Sequence, residues 1–503
     1  MSNTFLNEMT KVNNVKFTEN GGVTRKTTNS KVLDMFSVGG AYRNRSAADC
    51  ILLFKNAYDE DPLLALKCLF YLRDIRGGQG ERRFFRVVFR WLCIKHPQVA
   101  IKNLKNVAEY GRYDDLIYTT EGTPVETEAF NLIKRQLALD IQCKTPSLLA
   151  KWLPSQNASN KETQRLGHKI AKFLGMNSRQ YRKTLSILRE RINVLERLMS
   201  TNQWEKIEFD KIPSKAGIIY RNAFARRDLL AKRYEAFAKS TTTKVNADAL
   251  YPHDVAHRAF SAKNLRLDDP TRLMIQKYWD NLKDFYHGRE ENGLAIVDVS
   301  GSMYGVPMEA AVSMGAYIAE KAHGPFANHF ITFSANPELV KFEGVDIVDK
   351  FNRCVSADWG MNTNLKAVFD MLLKTAKSNR VRKEDMPTRL YIFSDMEFDR
   401  CVSFGPNRSD SFWYSTNTIR SINEANSDLE KIKEEWAREG YELPPVIFWN
   451  LDARHDNIPA IGDNFSYVSG FSPVMVETIL GGKDGYDLML EKLNSERYKE
   501  VVI

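Results

Sequence analysis

The sequence is short of cysteine and of long apolar runs. Its 503 residues include six cysteines, and none of them forms a Cys-x-x-Cys pair, which argues against a zinc cluster and against a disulfide framework. No stretch reaches the roughly 20 apolar residues that a membrane span needs. The polar segment 1–17 lacks the apolar centre of a secretory signal. These absences predict an intracellular, cytoplasmic protein that is not secreted and does not bind a membrane.

Positive charge is concentrated in the first part of the chain. Residues 1–290 contain 50 Lys and Arg against 31 Asp and Glu, whereas residues 291–503 contain 22 against 32. The net charge of +9 therefore divides into +19 and −10. This division predicts two domains with different partners, and the basic one suits a polyanion such as nucleic acid. A soluble basic surface, or a contact between the two domains, is the alternative interpretation.

The basic part has the periodicity of helices. From Ala47 to about Tyr286, apolar residues recur at three- and four-residue spacing, which is typical of amphipathic helices. Helical segments are predicted near 98–109, 126–141, 161–174, 179–199 and 216–239. We therefore predict an all-α, HEAT-like helical repeat over residues 46–290, although the sequence has no strict period. Residues 1–45 are polar and predict a flexible arm.

The pattern changes after Gly293, where short apolar runs alternate with helical segments. The runs are 294–300, 328–334, 339–342, 389–394, 446–451 and 465–468. Strands that alternate with helices predict a doubly wound, Rossmann-like α/β domain over residues 291–503, with a mainly parallel sheet. Ligands of such sheets bind at the carboxyl ends of the strands, where the strand order reverses.

Oxygen-bearing side chains follow the first of these predicted strands and recur in two later loops. Asp298, Ser300 and Ser302 are spaced by two directly after the strand. Thr363 precedes a predicted helix, and Asp395 follows the fourth predicted strand. Hard cations such as Mg²⁺ prefer about six oxygen ligands. The five residues predict a site for Mg²⁺ or Mn²⁺, and the alternative is that they serve only as helix caps and turn formers.

This ordered set of residues resembles the metal-ion-dependent adhesion site of von Willebrand factor A (vWA) domains. By that resemblance Ser300 and Ser302 bind the ion directly and Asp298 acts mainly through water. Thr363 matches the threonine ligand of the family, and Asp395 matches its second aspartate. An open coordination position on the ion would suit a carboxylate of an acidic protein partner.

The same loops lack the side chains that catalysis would require. None of the eight histidines falls in them, so no imidazole general base stands beside the predicted ion. Asp298 is not followed two residues later by the second aspartate of aspartyl-phosphate phosphatases. The glycine-rich string 77–81 lacks the Lys-Ser/Thr of a phosphate-binding loop. The sequence therefore predicts a binding protein and not an enzyme.

Two strings in the helical part, Arg73–Arg82 and Tyr110–Leu116, resemble the TROVE module of the Ro autoantigen and of telomerase-associated proteins. The whole chain is more similar to an uncharacterised TROVE/vWA-like family of plants and giant viruses, to which Ala150–Ser155 and Phe393–Phe398 also correspond. The resemblance implies helical repeats that form a ring closed by a vWA domain and that bind non-coding or misfolded RNA. For a viral protein it also makes the virion an alternative location.

A non-catalytic RNA-binding scaffold is thus the leading hypothesis for the function. The alternative is a vWA adaptor that binds proteins and no RNA, such as the partner of an ATPase or a structural component of a particle. Within the two TROVE-like strings, Arg73, Arg76 and Arg112 are expected to form buried pairs with Asp74, Asp114 or Asp115, in preference to contacting RNA.

The candidate RNA contacts begin with one arginine-rich helix. Arg82, Arg86 and Arg90 recur at i, i+4 and i+8, with Arg83 alongside. Like charges on one helix face repel unless an anion meets them, and arginine can grip a phosphate at two points. The further candidates are Lys151, Arg179, Arg182 and Lys183. A solvated helix face is the alternative interpretation of each cluster.

Overall fold

The computed structural model describes residues 9–10, 13–247, 250–288, 291–333, 337–355, 364–399, 427–480 and 485–503. The order of its elements changes once along the chain. A short hairpin is followed by helices as far as residue 280, and a six-stranded sheet with helices follows from residue 294. Within the described residues, none of the helices combines the length and the apolar character needed to cross a membrane.

The N-terminal segment that the sequence predicts as a flexible arm is a packed element in the structure. Strands Val15–Phe17 (β1) and Val23–Arg25 (β2) form an antiparallel hairpin, and the helix Lys31–Val38 (α1) buries most of its apolar side chains. The hydroxyl of Thr18 donates to the carbonyl of Phe398, at 2.6 Å. For residues 13–45 the prediction of a flexible arm is therefore wrong, because the partners that order this polar segment lie about 380 residues away in the sequence. Residues 1–8, 11 and 12 lie outside the described residues.

The helical part consists of short helices that follow one another closely. They are Ala47–Glu60, Pro62–Arg73, Arg82–Lys95, Pro97–Lys102, Leu104–Tyr110, Tyr113–Thr120, Glu126–Gln142, Leu149–Trp152, Lys161–Phe173, Ser178–Arg191, Leu195–Ser200, Ser214–Ala225, Asp228–Lys239, Pro252–Ser261 and Pro270–Asp280 (α2 to α16). Many begin at a polar cap. The carboxylate of Asp61, for example, accepts from the amide of Leu64, directly before Pro62 opens α3. Local sequence therefore sets several of the helix starts.

The sheet is mixed and has a reversal in its strand order. Its strands are Leu294–Asp298 (β3), His329–Phe333 (β4), Glu338–Lys341 (β5), Leu390–Ser394 (β6), Val446–Asn450 (β7) and Phe465–Ser469 (β8). They lie in the order β5-β4-β3-β6-β7-β8, and all neighbours are parallel except β5, which runs antiparallel to β4. The switch point lies between β3 and β6, where the chain returns to the middle of the sheet.

Helices cover both faces of this sheet. They are Val306–Lys321 (α17), Ile347–Val355 (α18), Leu365–Asn379 (α19), Asp428–Arg438 (α20), Met475–Ile479 (α21) and Gly485–Leu493 (α22). Alternate residues of β3 face different cores, so Val297 packs with the helical part and Ile296 with α19 and α20. Gly315 of α17 lies so close to the sheet that a Cβ there would stand 2.4 Å from a methyl carbon of Val297.

One large core joins the helical part to the sheet. It contains Phe70 and Phe85 from the helices together with Val297 and Trp449 from the strands. The C-terminal residues also return to the helices, because the amide of Asn106 donates to the carbonyl of Glu500 at 2.8 Å. The boundary that the charges indicate near residue 290 separates two kinds of secondary structure, and apolar packing crosses it.

A buried ion pair stabilises the helical part. The Arg73 guanidinium donates through Nε and Nη2 to one oxygen of Asp115, at 2.9 and 2.7 Å, and both side chains are buried. Arg112 likewise donates to Asp114, at 2.9 Å through Nε. Both pairings confirm the expectation for Arg73 and Arg112. It is wrong for Arg76, which is exposed and whose guanidinium donates to the carbonyl of Glu109 at 3.1 Å.

We expect Arg73→Ala to lower the free energy of unfolding by about 3 kcal/mol, because it leaves the Asp115 carboxylate buried with less compensating charge. Denaturant unfolding measures the change. The control is Arg266→Ala, which breaks an exposed pair with Asp268 and should cost less than about 1 kcal/mol. Equal losses for the two variants would show that the buried pair is not a major contribution.

Candidate metal centre

The last residues of four parallel strands form a polar row across the carboxyl edge of the sheet. They are Asp298 of β3, Ser394 of β6, Asn450 of β7 and Ser469 of β8. Ser394 is paired with Asn450, and Asn450 with Ser469. Laterally paired residues point to the same face. All four side chains are buried, so an otherwise apolar sheet ends in a row of oxygen and amide groups.

Asp298 is held in place by its neighbours on both sides of the switch point. Its Oδ1 accepts from the amide of Ser300 at 2.9 Å, and its Oδ2 accepts from the hydroxyl of Ser394 at 2.6 Å. Burial, and next the negative charge of Asp395, raise the pKa of Asp298 to about 7. A carboxylate at this position therefore lacks enough positive charge around it.

The two serines that follow are close to each other. Their hydroxyl oxygens are 3.0 Å apart, in a turn that spans Gly301–Met303. Ser300 is buried and Ser302 is half-buried. The chain then turns at Gly305, whose φ of +93° favours glycine, and α17 begins at Val306. Two hydroxyls and one carboxylate thus come from a single loop.

Asp395 lies directly after the neighbouring strand and is fully buried. Its Oδ1 accepts from the amide of Glu397 at 3.2 Å, and its Oδ2 accepts from the guanidinium of Arg454 at 2.8 Å. Met396, which lies between Asp395 and Glu397 in the sequence, has a φ of +65°, which is rare for a residue with a side chain of this size. The hydroxyl of Ser394 accepts from the Met396 amide at 3.0 Å and so stabilises this bend.

The structure brings four of the five predicted metal ligands to the switch point. Asp298, Ser300 and Ser302 follow β3, and Asp395 follows the adjacent strand β6. Thr363 lies outside the described residues. Its neighbour Asn364 caps α19, because the Asn364 side chain accepts from the amide of Ala367 at 3.1 Å.

Sequence reasoning missed the buried network behind Asp395. Glu397, two residues after Asp395, is completely buried. Its Oε1 accepts from Asn457 at 2.8 Å and lies 2.9 Å from Nδ1 of His455, while its Oε2 accepts from the amide of Glu19 at 2.8 Å. No local pattern reveals these partners, since they come from the N-terminal segment and from the loop after β7.

Arg454 is the positive charge nearest to the carboxylates among the described residues at this edge. Besides Asp395, it pairs with Glu19 at 3.3 Å. Asp452 also lies nearby, and its pKa is raised by burial and then by the charge of Asp395. One guanidinium therefore faces several carboxylates at the edge where the sheet would bind a ligand.

The arginines of α4, which the sequence assigns to RNA, have different surroundings. Arg86 donates to Asp115 at 2.6 Å and to Asp114 at 2.9 Å, so its charge is largely compensated within the protein. Arg90 is exposed and donates to the carbonyl of Glu121 at 2.6 Å. Arg82 and Arg83, at the start of the helix, are exposed.

The remaining RNA candidates lie farther along the helical part. Arg179, Arg182 and Lys183 are exposed on α11, and the Arg182 guanidinium donates to the carbonyl of Ser178 at 3.2 Å. Lys151 is half-buried, with its ammonium 5.5 Å from the centre of the Trp152 ring. Three of these four side chains are therefore accessible to a polyanion.

Comparison with known proteins gives matches to both parts of the chain. Residues 292–501 match a family model described as a domain of unknown function, DUF7788, and residues 18–117 and 131–285 match another, DUF2828. The chain is 31% identical over 516 residues to "Uncharacterized protein L728" of Acanthamoeba polyphaga mimivirus, and the match covers 94% of this chain and 85% of that protein. This relative comes from a giant virus, one of the two groups in which the family that the sequence resembles is found. The chain therefore belongs to the DUF2828 family.

Proposed function

We propose that the protein is a non-catalytic, TROVE/vWA-like RNA-binding scaffold whose C-terminal part is a vWA-type domain with one Mg²⁺ or Mn²⁺ ion. The main support for the metal site is the burial of Asp298 and Asp395 at the ends of adjacent strands. Arg454, which pairs with Asp395, is the cation beside them. Buried carboxylates need paired charge or a metal ion. The switch point of a doubly wound sheet is also where its ligands bind.

The donor groups fit a hard cation. The hydroxyls of Ser300 and Ser302 are 3.0 Å apart, and Asp298 and Asp395 supply carboxylates, so each group offers oxygen. Mg²⁺ prefers oxygen ligands and keeps several waters. The buried side-chain amide of Asn450, beside Ser394, has no hydrogen-bond partner among the described residues and is available to such a water. Thr363 would be a further ligand in this proposal.

The RNA-binding part of the proposal rests on charge. Residues 1–290 carry the surplus of +19, and Arg179, Arg182 and Lys183 are exposed together on α11. Lysines and arginines that meet phosphates release counterions from the nucleic acid, so the affinity depends on salt. The acidic C-terminal part would repel the same polyanion, which restricts RNA to the helical part.

We expect binding of single-stranded RNA to weaken steeply with salt, with a log–log slope of about −0.7 for each phosphate neutralised. Replacing Arg179, Arg182 and Lys183 by Gln should reduce the slope by about 2, because three phosphate contacts are lost. Fluorescence anisotropy of a labelled RNA measures both effects. The matched control replaces three exposed cations of the acidic part, Arg380, Arg382 and Lys383. Negligible RNA binding at low salt would refute the scaffold.

One observation favours the second candidate, a protein-binding adaptor. Tyr304 is 87% exposed and Val306 is 50% exposed, and they lie two and four residues after Ser302. An exposed tyrosine beside a metal ion would give a protein partner an anchor, while a carboxylate of that partner completes the ion's coordination. Loss of partner binding on Tyr304→Ala, in a protein that binds no RNA, would support the adaptor.

A further inference from the structure

A cavity of about 850 Å³ lies between the helical part and the carboxyl edge of the sheet. The start of α4 and the loop before it form one wall, and Val306, Leu451 and Phe471 from the α/β part form the other. Sites for small molecules measure roughly 300–1,000 Å³ and occur at such junctions between structural units. The cavity is therefore large enough for a nucleotide-sized molecule.

The wall that the helical part contributes has more positive than negative charge. Arg73 and Arg112 line the cavity, and Arg86 lies behind them. These three guanidiniums share the two carboxylates of Asp114 and Asp115. One positive charge is therefore left uncompensated within this cluster. The ion pairs also fix the directions of the guanidiniums, so an incoming anion would meet an ordered set of donors.

Two further arginines reach the cavity without such a partner. Among the described residues, no carboxylate pairs with Arg82 or Arg83, and both line the cavity. Arg83 makes a weak contact with the sulfur of Cys50, at 3.8 Å. Partial desolvation, and next the charges of Arg112 and Arg86, lower the pKa of Arg82. Positive charges thus crowd one another here, and an anion between them would relieve the repulsion.

Aromatic rings and further cations, Arg43 and Lys215, line the rest of the cavity. His253 packs edge-to-face on Phe471, with ring centres 4.8 Å apart, and burial lowers the pKa of His253 to about 4, so that the imidazole is neutral at pH 7. Nδ1 of His253 is buried and has no hydrogen-bond partner among the described residues. Arg43 lies over the Phe471 ring, 3.4 Å from its centre. An apolar or aromatic group could contact these rings beside the Arg43 guanidinium.

Two carboxylates also line the cavity, and neither forms an ion pair with Arg82 or Arg83 among the described residues. Glu81 accepts from Arg43 at 2.9 Å and from the amide of Arg83 at 3.0 Å, where it caps α4. Asp452 lies at the sheet edge, toward the proposed metal ion, and its pKa is raised. Neither carboxylate therefore cancels the charges of Arg82 and Arg83.

We propose that this cavity binds a phosphate-bearing small molecule of about nucleotide size. Arg82 and Arg83 would grip the phosphate, because guanidinium groups match its oxygens in two-point geometry. Arg112, whose Nε and Nη2 donate to Asp114, would add a single donor, Nη1. The aromatic wall of Phe471 and His253 would face the remainder of the molecule. This site goes beyond the proposed function, since it uses neither the metal ligands nor the exposed cations of α11.

The test is isothermal titration of the full chain with inorganic phosphate and with AMP, at low salt and in EDTA. We expect both to bind, with AMP the tighter because it also reaches the aromatic wall. Replacing Arg82 and Arg83 by Gln should weaken both at least about tenfold, the effect of losing one charge-assisted hydrogen bond. The matched control, Lys134→Gln with Arg135→Gln, removes two adjacent exposed cations of α8 and should leave both affinities unchanged.

The proposal is overturned if neither probe binds at millimolar concentration. It is also overturned if the α4 and α8 variants lose affinity equally, because equal losses would indicate diffuse attraction by net charge. EDTA keeps this result separate from the proposed metal site, because no divalent cation takes part. A protein that binds RNA and Mg²⁺ but neither probe would refute only the cavity. Binding of both probes by a chain without Mg²⁺ affinity would refute only the metal site.

Discussion

Replacing Asp298 by Asn and Ser300 by Ala is expected to lower the affinity for Mg²⁺ by at least about 100-fold, which is the upper range for losing residues that merely orient metal ligands. The double variant removes one carboxylate charge and one hydroxyl from the same loop. Asn keeps the shape of Asp298, so its Oδ1 can still accept from the Ser300 amide, and the loop is expected to stay folded. Isothermal titration with Mg²⁺, repeated with Mn²⁺, measures the loss.

Two comparison variants make this result specific. Asp140→Asn changes another buried carboxylate, which accepts from Ser147 in the helical part, and should leave Mg²⁺ affinity unchanged. Arg454→Gln removes the cation that pairs with Asp395 and should strengthen Mg²⁺ binding, because the ion no longer competes with a guanidinium. Unchanged affinity in the double variant, or weaker binding after Arg454→Gln, would contradict the assigned site.

The second large effect is a dependence of stability on pH when no divalent cation is present. The folded-state pKa of Asp298 is raised from its ordinary 3.8 to about 7. The stabilising contribution of this raised pKa is complete below pH 3.8 and is lost as the pH rises through 7. The reason is that Asp298 ionises less readily in the folded state than in the unfolded state. We expect the free energy of unfolding to fall by up to about 4 kcal/mol across this window.

Comparison of the wild type with Asp298→Asn isolates this contribution from those of other carboxylates. In EDTA the variant should be more stable than the wild type at pH 7.5, and the advantage should nearly vanish near pH 4, as measured by urea unfolding. Mg²⁺ should restore the stability of the wild type at pH 7.5 and should have little effect on the stability of the variant. A stability difference that does not change with pH would refute the raised pKa.

Strands β3, β6, β7 and β8 were predictable because each is a short apolar run that ends at a polar residue. The sequence places them within about one or two residues of their observed bounds, as for β7, predicted over 446–451 and observed over Val446–Asn450. The helix expected over 179–199 is two helices, since Asn193 has a φ of +50°. Apolar spacing continues across this break and conceals it. Helix α18 and the N-terminal hairpin were not predicted, because distant contacts stabilise them.

The candidate site was likewise only partly predictable from the sequence. Asp298, Ser300 and Ser302 are neighbours in the sequence, so their spacing alone indicates the metal-binding loop. The pairing of Arg454 with Asp395 joins loops that follow different strands, and no local spacing reveals it. The arginine spacing of α4 suggested a single surface for RNA. It could not show that Asp114 and Asp115 would compensate Arg86 while Arg82 and Arg83 face a cavity.

The most direct test of the metal centre is a crystal structure with Mn²⁺ and an anomalous difference map. The account predicts one peak at the carboxyl edge of β3 and β6, about 2.1 Å from the hydroxyl oxygens of Ser300 and Ser302, the distance typical of Mg²⁺-like sites. It also predicts that the Arg454 guanidinium moves away from Asp395. A map without a peak there, at a Mn²⁺ concentration that saturates vWA-type sites, would contradict the account.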